Sequence, residues 1–70
     1  MNRAEHLAWC KQRALEYVGS DLASAVASMG SDLLKHPDTK ASAGPELMMI
    51  GMMEIQRGPA AVTRWIEGFN

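Results

Sequence analysis

Seventy residues carrying 7 basic and 8 acidic side chains, for a formal net charge of −1, make one small domain spanning 1–70. The signs are interspersed, which argues against a broad basic face for nucleic acid. Cys10 is the only cysteine, so no disulfide forms within the chain, and no apolar run approaches the roughly 20 residues that cross a bilayer.

A lone thiol and the lack of a basic segment leading into a long apolar stretch fit a cytoplasmic setting. Apolar residues make up 47% of the chain and aromatics only 6%, so the core should be aliphatic and Met-based. A chain this short buries roughly 60% of its unfolded surface, which leaves a thin margin of stability. β-Branched residues are few and no segment alternates like a strand. The expectation is an all-α, compact small helical bundle of three longer helices plus a short C-terminal fourth.

The first predicted helix runs from about Arg3 to Val18. Asn2 is its cap, and Glu5 completes a capping-box pattern. Ala4, Leu7, Ala8, Cys10, Ala14, Leu15 and Val18 gather on one face, with Lys11 among them. His6, Gln12, Arg13 and Glu16 lie opposite, and Trp9 falls on that polar side. Gly19 is the stop. The second helix runs from about Asp21 to Lys35 or His36, capped by Ser20 and ended by Pro37. Leu22, Val26, Met29 and Leu33 form its main stripe. Ala23, Ala27, Gly30 and Leu34 form a second, whose small residues would let another helix approach closely. Residues 37–44, "PDTKASAG", read as a loop. The third helix spans about Pro45 to Arg57, with proline at its first position. Gly58 ends it, and a short fourth helix spans about Pro59 to Glu67 with Val62, Trp65, Ile66 and Phe69 on its apolar face.

The stretch "LMMIGMM", Leu47 to Met53, holds four of six methionines, and the third helix is apolar nearly all round. A helix of that kind is ordinarily buried on most sides, so it is expected at the centre of the bundle. Methionine suits that place because its unbranched thioether fills irregular gaps. A second reading makes Met49 and Met53, one turn apart, a face for a partner, since Met-rich surfaces adapt by repacking. A soft-metal reading lacks any His or Cys in the run. Glu46 and Glu54 bracket a run too short for membrane insertion.

His6 and Cys10, four apart, could reach one ligand and form half a zinc site. The plainer reading is a surface histidine beside a partly buried cysteine. A cysteine nucleophile would need a base and a pocket, and a bundle this size has little room for one. No phosphate loop or serine-nucleophile motif is present, so the chain reads as no enzyme, with no catalytic residue and no cofactor. A helix-turn-helix would present Arg, Lys, Asn or Gln on its second helix. Here the second helix offers Ser24, Ser28 and Ser31 beside acidic Asp21 and Asp32. Trp9 stands out, because tryptophan is uncommon on a polar helix face and enriched in interface hot spots. Arg13 is placed to stack on its ring. The alternative is that "GFN" at the C-terminus, or the fourth helix, folds over Trp9.

The stretches "RAEHLAWCKQRALEYV", "SMGSDLLKHPDT" and "WIEGFN" together resemble a family of small proteins of unassigned function encoded by tailed bacteriophages and prophages of actinobacterial hosts. Its members tend to carry Glu where this chain has Asp38. The resemblance implies an infected bacterial cytoplasm and a small accessory protein that modulates a host or phage protein by occupying a surface. The expectation is therefore a non-enzymatic protein acting by protein–protein contact, with Trp9, Arg13, Met49 and Met53 as contact residues and self-association as a further expectation. The alternatives are a helical DNA-binding protein and a metal protein using His6 and Cys10.

Overall fold

The structure, a computed structural model, describes residues 2–70. Five α-helices follow one another: α1 (Arg3–Tyr17), α2 (Leu22–Leu33), α3 (Pro37–Lys40), α4 (Pro45–Ile55) and α5 (Pro59–Glu67), with a 3₁₀ turn at Ala41–Ala43. The all-α expectation holds, with one helix more than anticipated, and no strand occurs among the described residues.

Local signals place most helix starts. The Asn2 side chain accepts a hydrogen bond from the Glu5 amide at 2.8 Å, satisfying one orphan donor of α1. Pro45 and Pro59 open α4 and α5, where a missing amide proton costs nothing. Between them Gly58 adopts φ +102°, a conformation glycine takes without strain.

α4 ends at Ile55, short of the expected Arg57, and both boundaries of α2 differ from expectation. α2 is capped by Asp21 rather than Ser20. The Asp21 carboxylate accepts from the Ser24 amide at 3.1 Å and the Ser24 hydroxyl at 2.7 Å. An ionised acceptor makes the stronger bond there, and these bonds, the hydroxyl's first, hold the Asp21 carboxyl below its usual range. The helix also ends at Leu33, short of Lys35. Its freed Leu33 carbonyl accepts from the buried Thr39 hydroxyl at 2.7 Å. Thr39 reaches it because 37–40 is a helical turn rather than loop. His36 Nδ1 accepts from the Asp38 amide at 3.1 Å and caps that turn.

The largest departure concerns the methionine run. α4 lies on the outside, and α2 takes the central place between α1, α4 and α5. Val26, Met29 and Leu33 of α2 are fully buried with Cys10 and Ala14 of α1 and Val62 and Ile66 of α5. The reason is competition for one small volume. α5 is sharply amphipathic, and it sends Ala61, Val62 and Ile66 inward, followed by Phe69 beyond its end. That leaves α4 a narrow contact, in which only Gly51 is fully buried and Met48 and Ile55 pack partly against the core.

Two glycines make that contact close. A Cβ at Gly30 of α2 would lie 2.5 Å from Met48 Cε, and one at Gly51 would lie 2.6 Å from Trp65 Cζ2. The Trp65 indole therefore rests on the α4 backbone, and its Nε1–H donates to the Leu47 carbonyl at 3.1 Å. The close approach expected of α2's small-residue stripe is realised at Gly30.

The buried face of α1 is turned roughly 60° from the face its apolar residues define, at 100° per residue. Ala4 and Ala8 are exposed, whereas His6 is buried. Alanines bury little area, so they weigh less than the polar partners α2 offers on the other side.

Candidate functional site

Those partners converge on Asp32. Its carboxylate, 2% exposed, accepts from Arg13 Nε at 2.7 Å and from Lys35 Nζ at 3.0 Å. The Ser28 hydroxyl adds a longer bond at 3.4 Å. Burial pushes this carboxyl up, but the hydrogen bonds and charges of Arg13 and Lys35 together outweigh it, so it is held below its usual range. Asp32 in turn raises Arg13 above its ordinary value, first by accepting its hydrogen bond and second by its charge.

The backbone carbonyl of Asp32 accepts from His6 Nε2 at 2.8 Å. A carbonyl only accepts, so the ring proton sits on Nε2. His6 stacks between Trp9, at 5.4 Å between centroids, and His36, at 5.0 Å. Arg13 lies 4.8 Å from the Trp9 centroid and Lys35 5.5 Å. The stacking of Arg13 on Trp9 is thus present, within the molecule. The ring contacts of Trp9 come from His6, Arg13 and Lys35. Phe69, in the C-terminal segment, packs edge-on against Trp65 at 5.0 Å.

The plain reading of His6 and Cys10 is corrected by the same cluster. His6 is 6% exposed and Cys10 is fully buried. His6 already spends its Nε2–H on a carbonyl, and no group of three His, Cys, Asp or Glu side chains able to hold a metal occurs among the described residues. The pair does not fit a zinc ligand set. Burial, and then the Asp32 charge, push the Cys10 thiol up, away from the reactive thiolate. Alkylation of native protein by iodoacetamide is expected to be slow, with full labelling once the chain is denatured. Rapid native labelling would contradict this placement.

On the other side of α2 lies the methionine surface. Met49 and Met53 are 64% and 65% exposed, and Met52, Ile50 and Leu47 beside them are 57%, 46% and 41% exposed. Met49 and Met53 lie opposite Gly51, with Ile50 and Met52 about 100° from it on either side and Leu47 nearer the Trp65 edge. Gly30, which meets α4, and Asp32, which meets α1, are two residues apart, a rotation of about 200° around the α2 axis. The four predicted contact residues therefore do not form one site. Trp9 and Arg13 belong to the α1–α2 face and are engaged within the chain, whereas Met49 and Met53 face outward from α4.

Leu47, Ile50 and Met52 were not among the predicted contact residues, yet they extend the methionine surface. A groove of about 420 Å³ runs beside it between Leu47, Trp65 and Phe69, with Arg64 at its edge. The sequence signal for Leu47 and Ile50 was the lack of any polar face on α4. Their exposure depended on α4 losing the centre of the bundle.

No helix among the described residues is long and apolar enough to cross a membrane. No protein-family model, curated protein or solved structure matches the chain.

Proposed function

We propose that this chain is a small, non-enzymatic accessory protein that works by contact with another polypeptide through the outward face of α4. The observation that carries this reading is the row of five neighbouring apolar side chains on α4, Met49 and Met53 foremost. Five side chains so exposed make a patch on the order of 500 Å², at the upper end of what a soluble monomer leaves uncovered, and such patches mark contact surfaces. Methionine supplies the adaptable lining that contact surfaces use. The resemblance to small phage-encoded proteins supports a role in an infected bacterial cytoplasm, where a modulator of a host or phage protein acts by occupying a surface.

The alternatives draw less support from side-chain positions. Arg3, Lys11, Arg13, Lys35 and Arg57 are each hydrogen-bonded to a carbonyl or carboxylate of the chain itself. They are spread along the fold rather than aligned on one helix as a DNA-reading row would be.

The test is site-specific photo-crosslinking in actinobacterial cytoplasm. A crosslinker at position 49 is expected to trap a polypeptide, and one at Gln12, on α1, is expected to trap none. Met49→Gln with Met53→Gln, which keeps good helix formers on the surface, should abolish contact while leaving the helical circular-dichroism signal unchanged. No adduct from position 49 would sink the reading.

A further inference from the structure

We infer that the polypeptide covering α4 is a second copy of this chain, paired antiparallel about a twofold axis at the level between Gly51 and Met52. This rests on α4 being a contact face, and it identifies the occupant. Glu46, Ile50, Met53 and Arg57 are spaced by four, three and four residues, so they form one row along the outward side of α4 and the turn that follows it. The two ends of the row carry opposite charge and its middle is apolar.

Such a row is self-complementary in one direction only. In an antiparallel pair, setting Ile50 against Met53 of the second copy brings Glu46 level with Arg57 of the second copy, and the symmetry repeats this at the other end. A twofold interface requires this reciprocity, in which residue i meets j and j meets i. A parallel pair would set Glu46 against Glu46 and Arg57 against Arg57. The Arg57 side chain is 66% exposed and its ion pair among the described residues is a 3.3 Å contact to Glu54, so it is accessible to a partner.

Charge agrees with this occupant, and the contact area is that of a weak pair. Met49, Ile50 and Met53 face the second copy between Glu46 and Arg57, whereas Leu47 and Met52 lie about 90° and 130° from the row, so the buried total falls below the roughly 1,000 Å² of a stable interface and the pairing is concentration-dependent. A net charge of −1 gives two copies almost no mutual repulsion. The face is also presented in a defined orientation, because Trp65 lies against Gly51 and Met48 against Gly30 on the inner side of α4.

Sedimentation velocity on the full chain, from low micromolar to near-millimolar concentration, tests the pairing. A concentration-dependent monomer–dimer equilibrium is expected. Met53→Glu should shift it to monomer without loss of helical signal. Glu46→Arg and Arg57→Glu should each weaken the dimer about tenfold, as expected for two reversed rim contacts per pair. The double variant Glu46→Arg with Arg57→Glu should restore the wild-type dissociation constant. Rescue by the swap is a readout that a merely destabilised fold does not give. A chain that stays monomeric throughout, a dimer indifferent to Met53→Glu, or a swap without rescue would overturn the inference. If the chain stays monomeric while position 49 crosslinks to a different protein, the contact-face reading stands and the second copy is excluded.

Discussion

Replacing Arg13 and Lys35 together by methionine is expected to destabilise the fold more than replacing Asp32 by asparagine, although the single change removes the common partner of both. The asymmetry comes from burial. Asp32 is 2% exposed, whereas Arg13 and Lys35 are 45% and 55% exposed. Without the carboxylate, both cations rehydrate where they stand. Asp32→Asn then costs about 1–2 kcal/mol of charge-assisted hydrogen bonding. Without the cations, a buried carboxylate loses its compensation, and an uncompensated buried charge costs about 3–5 kcal/mol. Adding Asp32→Asn to the double variant should recover part of that loss.

The two proteins should also respond to acid with opposite sign. In the wild type the folded Asp32 carboxyl lies below its unfolded value of about 3.9. Its stabilising contribution is therefore complete above that value and is lost as pH falls through the folded pKa. In the Arg13→Met, Lys35→Met variant burial acts alone, so the folded pKa should rise above the unfolded one. That variant should gain stability on acidification from neutral pH toward about 4. Urea titrations at several pH values measure both effects. Equal costs for the two replacements, or parallel pH profiles, would contradict the hub assigned to Asp32.

Gly51→Leu is the second change with a large expected effect, about 3 kcal/mol, at the upper end of what overpacking costs. A Cβ there would already lie 2.6 Å from Trp65 Cζ2 and 2.8 Å from Cε2 and Cη2, so the rigid indole has to leave. Its hydrogen bond to the Leu47 carbonyl and its edge contact with Phe69 leave with it. In a domain of this size the loss should lower the melting temperature by on the order of 15 °C.

Gly30→Ala is the control. The obstructing atom there is the Met48 terminal methyl at 2.5 Å, the far end of a flexible side chain. A gain of about 0.8–1 kcal/mol in helix propensity offsets the repacking, and the expected net change is within about 0.5 kcal/mol. Thermal melts by circular dichroism compare the two glycines directly. Equal destabilisation would show that the α2–α4 and α4–α5 contacts are equally rigid, against this reading.

Features set by short-range chemistry were legible in the sequence. The Asn2 cap with Glu5, the prolines opening α4 and α5, and the bounds Pro59–Glu67 of α5 all follow from bonds among residues a few positions apart. So did the contact of Arg13 with Trp9, which one helical turn brings together. The exposure of Met49 and Met53 was one of two readings left open by a helix without a polar face. The loop read over residues 37–44 missed the turn at 37–40, whose short-range signals, Pro37 at its first position and His36 as its cap, were read only as the end of α2.

By itself, the sequence determined the helix class, most of the helix starts and an aliphatic core, because these depend on propensity, caps and the 3.6-residue period. Tertiary structure decided which apolar helix holds the centre, which face of α1 turns inward, and that His6 is buried. Those outcomes depend on competition among α2, α4 and α5 for one volume, and on a backbone carbonyl of α2 that waits for His6 twenty-six residues away. Periodicity tells which side chains avoid water. Only packing decides which of them succeed, and on α4 they do not.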